Sequence, residues 1–362
     1  MVKPKKGEEM KAIQKTIYIL GVLGVLIMIT ACGGSSSSSI NNSGTTVSGS
    51  GSGSGAGTTT SGTGGGSGAG TSTYTGPAFV TTWNTNLGDG DHTITIPTKQ
   101  TPGNFSVDWG DGVVEHNQTK DLTHTYSSGG TYTVKITGDF SRIYFQNDLK
   151  KDKIIAVENW GDINWTTMNH AFYGCTNLNI TATDKPNLSN VTNMSGMFYK
   201  NISLNQDIGG WDTSNVTDMS NMFQDAENFN QDIGKWDTSN VIDMGDMFSG
   251  AASFNQNIGG WDTSNVLHMN GMFDSAVRFN QNIGGWDTSN VLHMNFMFTN
   301  AISFNQDISR WKTGKVTTMY SMLNYAEAFT NHDLSKWDVS KVKNHTLFSS
   351  GWGVGNKEPN WP

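Results

Sequence analysis

The chain has 362 residues, a formal charge of −8 and only 15% charged residues. That balance excludes a nucleic-acid partner, which needs a basic footprint, and the length allows two or three domains. With 43 Gly but only two Cys, Cys32 and Cys175, the composition predicts a Gly-rich low-complexity segment and no disulfide framework.

The N-terminus reads as a targeting segment. Lys3, Lys5, Lys6, Lys11 and Lys15 make a basic start, and an apolar run follows from Ile17 to Ile29. At about 13 residues the run is shorter than the roughly 20 that a membrane-spanning helix needs, and it fits the apolar region of a secretory signal. It ends in Ile29-Thr30-Ala31-Cys32, which resembles a bacterial lipobox. The resemblance implies cleavage after residue 31 and lipid on Cys32, which would carry the chain to the cell envelope and to the outer membrane in a Gram-negative cell. Residues 32–76 are then the lipidated Cys followed by Gly, Ser and Thr almost without interruption. Such a segment has too few apolar residues to offset its chain entropy, so a flexible tether is expected, with a root-mean-square span of roughly 33–40 Å.

From Phe79 the composition changes. His92–Ile96, Asn104–Trp109 and Thr131–Gly138 alternate apolar and polar residues between Gly, Asp and Pro turns, which predicts a small antiparallel β-domain over residues 77–150. Val107-Asp108-Trp109-Gly110-Asp111-Gly112 and His124-Thr125-Tyr126 with Gly130-Thr131-Tyr132-Thr133-Val134 resemble the two characteristic phrases of PKD-like immunoglobulin-fold domains. Asp89, Asp108 and Asp111 are read as turn residues that accept backbone N–H bonds, because calcium wants six to eight oxygens.

Beyond residue 150 the chain is periodic. Trp211, Trp236, Trp261, Trp286 and Trp311 lie 25 residues apart and Trp337 lies 26 further on; residues 254–270 recur unchanged at 279–295. About eight units, the first and last degenerate, predict a stack in which each unit buries its apolar face against the next. Within a unit, Val266, Met269, Met272 and Phe273 carry the spacing of a short helix or 3₁₀ turn, preceded by the capping types Asp262, Thr263, Ser264 and Asn265. Phe279–Ile283 fits a short strand. The expected fold class is therefore mixed α/β: an immunoglobulin-like, PKD-like β-sandwich followed over residues 151–362 by a leucine-rich-repeat-like solenoid of about eight coils.

The unit W-D-T-S-N-V-x-x-M-x-x-M-F-x-x-A-x-x-F-N-Q-D-I is similar to the repeats of bacterial surface proteins grouped with the BspA-like leucine-rich repeats. Ala171-Phe172-Tyr173-Gly174-Cys175-Thr176-Asn177-Leu178 resembles the A-F-x-x-C-x-x-L phrase of that wider type. The resemblance covers about 200 residues. It implies surface exposure, an adhesion or binding role toward an extracellular protein or glycan, and no catalytic residues.

Equal positions of successive units should stack into columns. The Trp column and the two Met columns, Met194 to Met319 and Met197 to Met322, are expected to be core, with Cys175 a small buried thiol in the Ala column. The column from Asn205 to Asn305 should form an amide ladder. Asp212, Asp237, Asp262, Asp287 and Asp338 should accept N–H groups at a helix start; calcium between coils is the other reading. His268 and His293 are read as a solvated face of a duplicated unit. No hydrolase, zinc, phosphate-loop or Cys/His motif appears, so neither an enzyme nor a cofactor or metal is expected. Candidate ligand-facing residues are Tyr199, Gln224, Ser249, Asp274 and Thr299, which vary among fixed neighbours, together with His268 and His293. The rival functions are a secreted hydrolase, because PKD-like modules often accompany such enzymes, and a structural envelope spacer without a ligand.

Overall fold

The computed structural model describes residues 76–99, 103–146 and 148–362. The expected signal, the lipidated Cys32 and all but the last residue of the expected tether lie outside the described residues. Among those described, no helix is long and apolar enough to cross a membrane.

Among the described residues, eight strands form two sheets. The larger contains β1 (Phe79–Asn84), β3 (Phe105–Asp108), β4 (Val114–Gln118), β6 (Thr131–Gly138), β7 (Ile154–Asn159) and β8 (Asn179–Ile180), in the order β4-β3-β6-β1-β7-β8. β2 (Thr93–Ile96) and β5 (Leu122–Thr125) make a separate antiparallel pair. The alternation read from the sequence selects the buried face: Phe79, Thr81 and Trp83 of β1, Phe105 and Val107 of β3, and Val134 and Ile136 of β6 point inward. β1 sits at the centre, antiparallel to both β6 and β7, and β7 pairs in parallel with β8. The sheet thus draws strands from both sides of residue 150. Phe79 joins the two parts in the core, with its ring 5.9 Å from Trp160 and 5.1 Å from Trp165.

The Asp-Gly turns are bonded as read. Asp108 accepts the N–H of Gly110 at 3.0 Å and Asp111 that of Val113 at 3.1 Å. Asp89 accepts the N–H of Asp91 at 3.4 Å, and both carboxylates also hold the wholly buried Lys153 at 2.6 Å, whose ammonium donates as well to the Thr93 carbonyl at 2.9 Å.

The repeat coils correct the expected fold class. There is no α-helix among the described residues, and the single 3₁₀ turn, Lys151–Lys153, lies outside the Met-Phe segments. Phe279–Ile283 is not a strand. The architecture is strand and loop with open sheets, so the mixed α/β expectation, an immunoglobulin-like sandwich followed by a leucine-rich-repeat-like solenoid, is overturned. The reason lies in where the backbone donors go. In the coil containing Met219 and Phe223, alternate N–H groups leave the coil: Met219 donates to Asp243 O at 3.0 Å, Asn221 to Gly245 O at 2.8 Å, Phe223 to Met247 O at 2.9 Å and Asp225 to Ser249 O at 2.7 Å. The intervening donors close tight turns, Met222 to Met219 O and Gln224 to Asn221 O. Asn221 and Asp225 are left-handed, both at φ 57°, which no α-helix accommodates. The helical spacing of Val, Met and Phe therefore marks a run of turns whose free donors bond the next coil.

Successive coils are also joined by single parallel backbone pairings through Asn193, Asp218, Asp243, His268, His293, Thr318 and Asn344. The Met columns and Phe223, Phe248, Phe273 and Phe298 are wholly buried, and the rings of Phe248, Phe273 and Phe298 stack at 5.8 and 5.6 Å. Cys175 is a buried free thiol in the Ala column.

Candidate functional site

Most columns are occupied in holding one coil to the next. The Trp rings are almost fully buried, and each indole from Trp236 on donates to the coil before it, as Trp261 does to Ile233 O at 3.1 Å. Thr213, Thr238, Thr263, Thr288 and Thr313 donate to a carbonyl of the following coil at 2.9–3.1 Å. The Asn ladder is present on a half-exposed edge: the Asn255 side-chain oxygen accepts the Asn280 N–H at 2.9 Å and the Gln281 amide at 3.0 Å. The Asp column serves tight turns, since no helix starts there. Asp237 accepts from the Ser239 N–H and hydroxyl, and those bonds hold its carboxyl below the usual range.

The Met-Phe segment leaves one face for other uses, and there the side chains change from coil to coil. Tyr199, Gln224, Ser249 and Asp274 are half-buried along it. Thr299 is buried and donates to Ser321 O at 2.6 Å, so it takes no part in an exposed surface. His268 and His293 are half-buried in the column that pairs the coils, with their Nδ1 atoms 3.0 Å apart. Burial lowers the pKa of His293, and the neighbouring His268 adds to that effect.

The middle of the face is acidic. Asp225, Asp246 and Asp274 are all pushed above the usual carboxylate range, chiefly by burial, and Asp274 reaches about 6. Among the described residues, no group of His, Cys, Asp and Glu side chains is arranged to hold a metal ion.

The N-terminal end of the face carries a feature that the repeat register did not reveal. Tyr173 and Tyr199 stack at 4.5 Å with an interplanar angle of 2°. His170 lies 5.4 Å from Tyr173 and 5.7 Å from Tyr144. The Lys99 ammonium and the Arg142 guanidinium sit over the Tyr144 ring at 4.1 and 4.7 Å, and Lys200 sits 5.3 Å over Tyr199. Burial lowers the His170 pKa, and Lys99 and Arg142 lower it further. Tyr173 was findable, one repeat before Tyr199; Lys99, Arg142 and Tyr144 come from outside the periodic segment and carry no repeat signal.

No curated protein and no solved structure matches the chain. One family does, described as "Mycoplasma protein of unknown function, DUF285", over residues 166–266 and 253–360. The match is compatible with a BspA-like surface repeat protein. Its two segments together span more than half of the 362 residues, and the chain belongs to this DUF285 family of surface-type repeats.

Proposed function

We propose that this chain is a non-catalytic bacterial surface protein, held to the envelope by lipid on Cys32, that binds an extracellular protein or glycan through the variable face of its repeat. The observation that carries the reading is the contrast between columns. Trp, Thr, Asn and Met recur because each satisfies a neighbouring coil. The column holds Tyr173 and Tyr199 and then changes chemistry at each further coil, to Gln224, Ser249 and Asp274, while staying half-exposed. Stacking does not require that variation, whereas recognition of an asymmetric ligand does.

The test displays the full chain on cells and measures their attachment to immobilised matrix proteins and glycans. Attachment is expected for the full chain. Replacing Tyr199, Gln224 and Asp274 together by Ala should reduce it at least tenfold at an equal surface level. The Cys32→Ser chain should leave the membrane for the soluble fraction. Unchanged attachment by the triple variant would reject the face, and a full chain that attaches to nothing would leave a purely structural envelope role.

A further inference from the structure

Among the described residues, Lys99, Arg142, Lys151 and Lys200 form no salt bridge, although the chain is acidic overall. All four lie along one row of rings; Lys151 is 6.0 Å over Tyr173. The Arg142 Nε–H is buried without a hydrogen-bond partner, and the Arg142 Nη2 reaches only Asn169 Oδ1, at 3.4 Å. Unpaired cations gathered on half-exposed rings call for an anion.

The ring geometry narrows the kind of anion. Tyr173 and Tyr199 cover each other face to face, and both cations beside Tyr144 lie over its ring. The three rings stay half-exposed, the Tyr144 hydroxyl donates to Gln146 Oε1, and Lys99 and Lys200 beside the rings are exposed. A nucleobase needs a free ring face to stack on, and Tyr173 and Tyr199 each spend one face on the other while Lys99 and Arg142 cover Tyr144. A sugar's carboxylate or sulfate matches the Lys and Arg N–H donors beside these half-exposed rings. The length of the anion is bounded as well. Asp225 follows Lys200 by one coil and is close enough to feel its charge, and Asp246 and Asp274 extend the acidic stretch. A long polyanion running along the stack would be repelled there. With coils about 4.8 Å apart, the cationic stretch suits one or two sugar residues.

We infer that the ring row from Tyr144 to Tyr199, with Lys99, Arg142 and Lys200 beside it, binds the acidic end of a glycan: one or two sugars bearing carboxylate or sulfate. The inference rests on the proposed surface-binding reading and names its ligand class.

The experiment titrates the full chain with 3′-sialyllactose, 3′-sulfolactose and lactose, and separately with a short oligothymidylate and a glutamate-rich peptide. At least one acidic trisaccharide or sulfated disaccharide should bind ten times or more tightly than lactose, with affinity falling as salt is raised. The two acidic sugars distinguish carboxylate from sulfate recognition. Arg142→Gln and Lys200→Gln should each weaken that binding about tenfold or more. Lys200 is exposed, so Lys200→Gln should leave the unfolding midpoint unchanged and remain informative if Arg142→Gln disturbs packing. Equal binding of lactose, no binding of either acidic sugar, or stronger binding of the oligothymidylate or the peptide would overturn the inference. Cell attachment lost in the Tyr199, Gln224 and Asp274 triple variant but retained in Lys200→Gln and Arg142→Gln would also overturn it, while leaving the surface-binding reading intact.

Discussion

Asp274 sets the energetic character of the variable face. Its carboxyl is half-buried, receives the Ser275 hydroxyl at 2.9 Å, and has Asp246 and Asp225 near it without a cation of its own. Burial raises its pKa from 3.8 to about 6. Between those values the folded chain holds a proton that the unfolded chain has released, so stability falls as pH rises from about 4 to about 6 and stays lower above that. Asp274→Asn should therefore stabilise the full chain at pH 7, by less than the roughly 3 kcal/mol that the full shift represents, because solvent screens a partly exposed carboxyl. The gain should shrink by pH 5. Urea midpoints of both chains at pH 5 and pH 7 check this, and a variant less stable at pH 7 would show the carboxylate to be paired. Asp333 works in the opposite sense: Lys357 and Ser335 hold its carboxyl low, so its contribution is present at both pH values and is lost only in stronger acid.

A single coil shows which parts of the sequence carry structure and which conceal it. Phe273 is wholly buried between Phe248 and Phe298, with Phe279 3.9 Å away, so Phe273→Ala should cost about 3–5 kcal/mol. Asn255 lies on the half-exposed edge, and Asn255→Ala loses two accepted bonds where water can replace them; it should cost nearer 1–2 kcal/mol. Equilibrium urea unfolding of the two variants tests the order, and equal costs would contradict this assignment of core and edge. The period, the buried Met, Phe and Trp columns and the Asn ladder were legible because each follows from a side chain recurring at one place. The helix was a misreading because apolar spacing alone does not say where the N–H groups go. A better signal lay between the Met residues, where Gly196, Asn221, Asp246 and Gly271, and four residues later Gly174, Asp225 and Gly250 in their own coils, are types that tolerate positive φ, and all adopt it. Phe296 obscures the pattern: it stands at φ 61° where the twin coil has Gly271, and it is 38% exposed against Tyr320. Of the candidate face, the column of Tyr199 was legible as variation among fixed neighbours. The Lys99, Arg142 and Tyr144 cluster was not, since only folding brings it to Tyr173.

At the scale of the whole described fold, the β-strands and the coils share a sheet and a core. β1 bonds β6 on one side and β7 on the other, and Trp160 and Trp165 pack on Phe79. Gly161 lies at the seam at φ 64°, and a Cβ there would stand 2.4 Å from the backbone of Ala78. Gly161→Ala combines an unfavourable left-handed conformation with a backbone clash, and should destabilise the seam by about 2 kcal/mol or more. Because β1 transmits the disturbance in both directions, amide exchange should quicken together in β6, at Val134 and Ile136, and in the first coil, at Phe172. Coils in an array are coupled mainly to their neighbours, so the amides of Phe248 and Phe273 should keep their protection. Hydrogen exchange on the full chain measures all of these at once. Loss of protection confined to one side of the seam would show that the strands and the coils fold as separate units despite the sheet they share.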